Sequence, residues 1–400
     1  MSTSQHGFLK RKSTITNLLD HVKFIFDAFN KRKQVDVMYA DMSKAFDKVN
    51  HDHLIQKLKL FGVQQNVLEW FNSYLREMYV KVVFNGSEST DFCPCTGVPQ
   101  GSILGPLLFL VYIDDLTYQL QSTTSLYADD LKAKVLIESD ESTVLLQNDI
   151  RSLNNWCSLN NLPLNAEKSC VLSFTKCSQP ILGHYSLSTT LLERKTVFKD
   201  LGIFFDTKLN FTHHYTAIIE KSFKMLGFVI RSSRNFRNID TIILLYKTLV
   251  RSQLEYGTVI WSPYTRNHID AIEKVQRKFT RFVYYKFHYP YQDYEHRLLT
   301  LGLQSLKKRR QLTDFKCLHK IVNGTIITNC LSDIVMRNNR KNVRNMDLFG
   351  VRKFNTEHCK NSPIPRMLNS YNSLFKGENY FNVSINEFMK IVSFKINTTN

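Results

Sequence analysis

The chain has 400 residues, 43% of them hydrophobic and 22% charged, a composition that excludes a small peptide or a disordered tail. Its 53 Lys and Arg outnumber 35 Asp and Glu, and the net charge of +18 favours a polyanionic partner, nucleic acid first and an anionic membrane surface second. The longest apolar run, Ile103 to Ile113, falls short of the roughly 20 residues a spanning helix needs, and eight sparse, irregular cysteines argue against a disulfide framework or zinc site and for a reducing intracellular compartment.

The segment Met1 to Phe8 has no apolar signal core, and the basic triplet Lys10-Arg11-Lys12 lies beyond it. Thr14 to Phe29 carries Ile15, Leu18, Leu19, Val22, Ile25 and Phe26 at a spacing that predicts an amphipathic helix. After Lys31-Arg32-Lys33, the run Val35 to Asp41 is short and β-prone, and from Ser43 helical periodicity resumes until Gly62. Asp41 is therefore expected at the carboxyl end of a strand, where open α/β sheets place ligands. Asp47 falls inside the following helix and reads as a solvated acid rather than a metal ligand.

Thr96-Gly97-Val98-Pro99-Gln100-Gly101-Ser102 is a glycine-punctuated turn that opens onto the helix-compatible run Ile103 to Ile113. Gly97 and Gly101 let backbone approach a ligand closely, and Gln100 offers an amide to a sugar or base edge, although most Gly-Pro turns only connect elements. Asp114 and Asp115 read as the polar end of that helix. Ser125 to Val135 then forms two apolar arms around Asp129-Asp130, a hairpin with its acids near the turn. In a regular strand two adjacent carboxylates point to opposite faces; a turn brings both to one site, and a divalent cation relieves their repulsion. An Asp-Asp turn alone is most often a solvated loop. Three carboxylates from separate strand ends, Asp41, Asp129 and Asp130, can converge on two cations and support in-line phosphoryl chemistry, one ion activating a hydroxyl and the other stabilising a pyrophosphate.

Beyond about residue 210 apolar periodicity through Ile218, Ile219, Phe223 and Leu226, then Ile242, Leu245, Leu249 and Leu254, predicts helices. Between Arg266 and Arg310 basic residues predominate, among them Lys274, Arg277, Lys278, Arg281, Lys307, Lys308, Arg309 and Arg310. They interleave with Tyr284, Tyr285, Tyr289, Tyr291 and Tyr294, a composition suited to gripping phosphates and stacking on bases; the alternative is a solvated basic helix with core tyrosines. A second cluster, Arg337, Arg340, Lys341, Arg344, Arg352 and Lys353, opposed by Asp347, extends that surface or forms a flexible basic tail.

Taken in order, these segments resemble the reverse transcriptases of non-LTR retrotransposons, particularly the jockey-like type. Asp41-Met42-Ser43-Lys44-Ala45-Phe46-Asp47-Lys48-Val49 resembles the first catalytic motif, Gly97 to Ser102 the second, and Tyr127-Ala128-Asp129-Asp130 the third. Leu164-Asn165-Ala166-Glu167-Lys168-Ser169 resembles the next palm motif, and Phe198-Lys199-Asp200-Leu201-Gly202-Ile203 the hairpin that grips the primer. The resemblance implies an α+β right-hand polymerase: partial fingers over 1–34, a palm with inserted fingers helices over 35–195, a primer-grip hairpin and helical thumb over 196–310, and a basic C-terminal extension over 311–400.

It further implies that Asp41, Asp129 and Asp130 bind two Mg2+ ions, for which Mn2+ can substitute, with the backbone carbonyl of Met42 completing one sphere. Phe46 matches a steric gate that crowds a ribose 2′-hydroxyl and favours deoxynucleotides, against the alternative of a core phenylalanine. Gln100 and Gly101 match residues beside the incoming nucleotide and template. Lys168 matches a proton donor to pyrophosphate, against the alternative of an exposed lysine. The implied partners are an RNA template, a DNA primer or target and dNTPs, with no membrane and no oligomeric state specified; nuclear localisation is expected from the family, with the cytoplasm as alternative.

Gln5-His6-Gly7-Phe8 resembles the closing part of the fingers, so the preceding fingers strands, an upstream endonuclease and a Cys/His knuckle are expected to be missing, with Lys10, Arg11 and Lys12 as partial substitutes for the triphosphate clamp. The implied reaction is RNA-directed DNA synthesis, by attack of a primer 3′-hydroxyl on a dNTP. The alternative is a catalytically inactive nucleic-acid-binding fragment of such an element. A basic membrane-surface protein fits the motifs poorly.

Overall fold

The computed structural model describes residues 1–337 and 347–398, so Arg340, Lys341 and Arg344 of the second basic cluster lie outside the described residues. The fold is α+β, and it divides into two compact units: Met1–Asn17 with Lys31–Thr196, and Leu18–Asn30 with Val197–Asn400. The first helix, α1 (Thr14–Asn30), contributes residues to both.

The first unit is built on a sheet of β1 (Gln34–Ala40), β2 (Thr123–Tyr127), β3 (Asp130–Ile137), β4 (Cys170–Phe174) and β5 (Glu193–Arg194), in the order β2-β3-β1-β4-β5. Neighbouring strands run antiparallel except β4 and β5, which are parallel. Every residue of β1 is buried, including Gln34 and Asp36, and the Asp36 carboxylate accepts from the Tyr185 hydroxyl at 2.7 Å. The helices α2 (His51–Leu60), α3 (Gln65–Arg76), α4 (Leu104–Ile113) and α5 (Asp140–Leu159) complete the unit. Leu146, Ile150, Leu153, Trp156 and Cys157 form the buried stripe of α5, at the spacing an amphipathic helix needs to cover a sheet.

The stretch from Ser43 to Gly62 is not the continuous helix its periodicity predicts. Lys44 takes a left-handed conformation (φ 51°), Ala45–Asp47 form a single 3₁₀ turn, and α2 starts only at His51, where Asn50 caps it by accepting from the His53 amide. The reason is tertiary. The amides of Gly97 and Val98 donate to the carbonyls of Val49 and Phe46, both at 2.8 Å, so this backbone is committed to a distant loop rather than to its own helix.

The second unit opens on a tight hairpin of β6 (Val197–Asp200) and β7 (Ile203–Asp206), whose Leu201-Gly202 turn has both residues at positive φ, the pairing that suits a two-residue hairpin. From there it is mainly helical: α6 (Thr212–Ser232), α7 (Arg266–Lys286), α8 (Leu306–Val322), α9 (Pro363–Phe375) and α10 (Ile385–Thr398) are its longest helices. α6 packs against α7, and α8 against α9 and α10, through a core that includes Phe279, Leu318, Tyr371 and Phe388. Among the described residues no helix is long and apolar enough to cross a membrane.

Candidate active site

Three chain segments meet at one end of the first unit's sheet. β1 delivers Asp41 directly after its last residue, as the periodicity predicted. β2 and β3 form a hairpin in which Tyr127 pairs with Asp130, so Ala128 and Asp129 are the turn. The third segment, 163–169, is fastened to the end of β1. The amide of Ser43 donates to the Pro163 carbonyl (2.9 Å), that of Asn165 to the Asp41 carbonyl (2.8 Å), that of Asp41 to Ser169 Oγ (3.2 Å), and Met42 bridges Leu164. This brings Lys168 Nζ to 3.7 Å from Asp41 Oδ2.

Two of these acids are coupled electrostatically. Burial raises the Asp129 carboxyl above the usual aspartate range, and the neighbouring charge of Asp41 raises it further, against an opposing backbone hydrogen bond. Two carboxylates 88 positions apart in sequence (129 minus 41) thus act on each other at the surface of one sheet. Asp130, on the opposite side of the turn, is exposed. Among the described residues no three His, Cys, Asp or Glu side chains form a preformed ion cage. An oxygen-only donor set that leaves positions for water and phosphate oxygens fits a hard divalent cation.

Phe46 is half-buried, its ring stacked on Phe109 with centroids 4.3 Å apart and meeting Phe8 edge-on at 6.3 Å. Gln100 is exposed, and its Nε2 donates to Asp47 Oδ1 at 2.7 Å. The bond gives Asp47 a role the sequence did not assign, orienting the Gln100 amide; nothing local in the chain signals a pairing across 53 positions. Gly97 is held where a side chain would not fit, since a Cβ there would stand 2.9 Å from the Asp47 carbonyl oxygen, whereas a Cβ on Gly101 would meet open space. Lys57 is a structural cation: it bonds Asp115 and the Tyr112 carbonyl and lies over the Tyr112 and Trp156 rings.

A family model described as "Reverse transcriptase (RNA-dependent DNA polymerase)" matches residues 1–230, a stretch that holds all of these segments. The chain belongs to the reverse transcriptase family. It is 27% identical over 292 residues to the RNA-directed DNA polymerase from mobile element jockey of Drosophila funebris, covering 69% of this chain and 31% of that protein. It is 30% identical over 296 residues to the probable RNA-directed DNA polymerase from transposon BS of Drosophila melanogaster, covering 70% and 32%. The chain spans about a third of the length of these curated relatives. Among solved structures, apo telomerase from Candida tropicalis aligns with 80% of this chain and 55% of its own at 11% identity and a TM-score of 0.39. Reverse transcriptases are generally metal-dependent, which agrees with the donor set of this family member.

The basic residues of the second unit separate into two groups. Lys274, Arg277, Lys278 and Arg281 recur at helical spacing on one face of α7 and line a groove with Phe223 and Asp270; Arg277 bonds Asp270 at 3.2 Å and its guanidinium lies over Tyr294. Arg277 and Arg281 also border a neighbouring groove that contains Tyr285, Tyr289 and Tyr291, all exposed. On α8, Lys307 is exposed, but Arg309 is engaged by Glu255. Arg310 does not belong to a binding surface: it is 3% exposed, its charge faces Glu273 and Asp314 inside the unit, and no polyanion reaches it. The run of four basic residues is split by helix geometry, which turns one of them into the core. Tyr284 is likewise buried, whereas Tyr294 is half-buried at the edge of the second groove and donates to buried Glu273.

Proposed function

We propose that this chain is the polymerase portion of a non-LTR retrotransposon reverse transcriptase, adding deoxynucleotides to a primer 3′-hydroxyl on an RNA template. The observation that carries the proposal is the juxtaposition of Asp41 with the Asp129-Asp130 turn, with Lys168 3.7 Å from Asp41. In this reading 35–195 is the palm with inserted fingers helices, 1–34 the closing part of the fingers, 196–310 the primer-grip hairpin and thumb, and 311–400 the extension.

Asp41, Asp129 and Asp130, with the Met42 carbonyl, hold two magnesium ions, or manganese in their place. When bound, these ions lower the pKa of the attacking hydroxyl and stabilise the departing pyrophosphate. The protein's own groups do the rest. Lys168, set against Asp41, supplies a proton to the pyrophosphate oxygen as it leaves. Phe46, kept in place by its stack on Phe109, crowds the ribose 2′ position and so selects dNTPs. The Asp47–Gln100 bond fixes the amide beside the incoming nucleotide, and Gly101 lets the backbone pass close to the template. Lys274, Arg277, Lys278, Arg281, Lys307 and Lys308 hold the phosphates of template and primer, an RNA and a DNA strand, at a cellular site where both occur, the nucleus first.

The decisive experiment is extension of a DNA primer on an RNA template with magnesium, wild type against Asp129→Ala. Synthesis that disappears in the variant supports the proposal. Folded wild type that binds RNA in a salt-sensitive way but extends no more than Asp129→Ala would instead identify a binding fragment. Lys168→Met separates proton donor from bystander: a kcat lowered about tenfold or more with unchanged KM marks a transition-state role.

A further inference from the structure

The metal-site turn is strained. Ala128, its first residue, sits at φ 55°, a left-handed conformation that costs an L-residue about 1–2 kcal/mol and that glycine normally fills in two-residue hairpins. Something outside the hairpin must hold it.

Residues 4–7 run beside β2, the Leu126 amide donating to the Ser4 carbonyl and the His6 amide to the Leu126 carbonyl, both at 2.9 Å. From this added segment the side chain of Gln5, 4% exposed, reaches the turn and engages both backbone groups of Ala128. The Ala128 amide donates to Gln5 Oε1 at 3.0 Å, and Gln5 Nε2 donates to the Ala128 carbonyl at 3.4 Å. The same Oε1 accepts the amides of Gly7 (2.7 Å) and His6 (3.0 Å), which fixes its direction. Gly7 lies flush against the turn, because a Cβ there would come within 2.5 Å of the Ala128 nitrogen.

We propose that Gln5 is a positioning residue for the metal-binding carboxylates: its amide clamps Ala128 and so fixes the direction in which Asp129 and Asp130 leave the turn. Gly7 makes the close approach possible. This rests on the reading of Asp129 and Asp130 as metal ligands of a polymerase. Lys12 reaches Gln5 only at its backbone carbonyl (2.8 Å), which a side-chain substitution leaves in place, and the Gln5 amide bonds Ala128, His6 and Gly7, so its effect falls on metal affinity and kcat and spares nucleotide KM.

The test is Gln5→Leu in the full chain, with folding checked by circular dichroism. Mn2+ affinity is read without nucleotide by the electron paramagnetic resonance of free Mn2+, and primer extension by kcat and dNTP KM. Loss of the two clamping hydrogen bonds is expected to weaken Mn2+ binding about tenfold and lower kcat by a similar factor, with KM unchanged within about twofold. A folded Gln5→Leu protein that binds Mn2+ and extends primers like wild type would overturn the proposal. Hydrogen exchange of the wild-type chain decides the matter where Gln5→Leu does not fold: strong protection of the Ala128 amide supports the clamp, and exchange at the rate of a free peptide overturns it. Wild type that binds Mn2+ but never extends a primer would sink the polymerase reading alone, while weaker Mn2+ binding by Gln5→Leu would still support the clamp.

Discussion

Substituting Gly97 by alanine tests whether the loop that carries Gln100 is seated by backbone contact. Gly97 has φ +94° and Gly101 φ +79°, so a side chain at either position imposes a strained backbone worth about 1–3 kcal/mol. The surroundings then separate the two. At Gly101 the new methyl enters open space, whereas at Gly97 it stands 2.9–3.0 Å from the carbonyl oxygen, carbonyl carbon and Cα of Asp47. Main chain does not swing aside as a side-chain tip does, so the loop must lift. Lifting stretches the Gly97–Val49 and Val98–Phe46 hydrogen bonds, both 2.8 Å, and each is worth about 1 kcal/mol net. Gly97→Ala is therefore expected to cost about 2 kcal/mol more than Gly101→Ala, or about 4–8 °C in Tm for a unit of this size. Scanning calorimetry of the two variants side by side measures the difference, and dNTP KM should rise further in Gly97→Ala because the Asp47–Gln100 pair moves with the loop. Equal melting temperatures would refute the reasoning, since the strain at φ is common to both and only the contact differs.

Phe46→Val should lower the dNTP-to-rNTP ratio of kcat/KM about tenfold or more in single-nucleotide incorporation, because the ring stacked on Phe109 is what excludes the 2′-hydroxyl; an unchanged ratio would return Phe46 to the core. In EDTA, Asp129 holds its proton more tightly in the folded than in the unfolded chain, through burial first and the Asp41 charge second. That stability is complete below the ordinary aspartate range and lost as pH rises through the raised folded value. Asp129→Asn should accordingly melt above wild type at pH 7, with the gap closing toward about pH 4, and a gap independent of pH would contradict this. Arg310→Met removes a buried guanidinium whose two terminal nitrogens have no hydrogen-bond partner, and it should leave the salt dependence of RNA binding unchanged. Lys274→Ala combined with Lys278→Ala should do the opposite, lowering the slope of log K against log salt by about 2 with little change in stability.

The helices α1 and α4, the buried strand β1 and the hairpin around Asp129 are all legible in the chain, because apolar periodicity and turn residues are local signals that each segment carries by itself. Asp41 at a strand end and two acids at a hairpin turn follow from those elements directly. The segment 43–62 misleads for the same reason: its periodicity is helical, but the carbonyls of Phe46 and Val49 are claimed by the loop at 97–98. The basic run on α8 misleads likewise, since a charge count is blind to which side of a helix faces the core, and Arg310 faces it.

By itself, then, the sequence determined the carboxylates, the order of the motifs and the excess of positive charge. These are properties of residue type and short-range spacing. Tertiary structure alone decided which groups meet: Lys168 at Asp41, Gln100 at Asp47, and Gln5 at Ala128, a pair 123 residues apart. A hydrogen bond depends on distance and direction in space, and chain separation carries no information about either until the sheet has formed and brought its strand ends together.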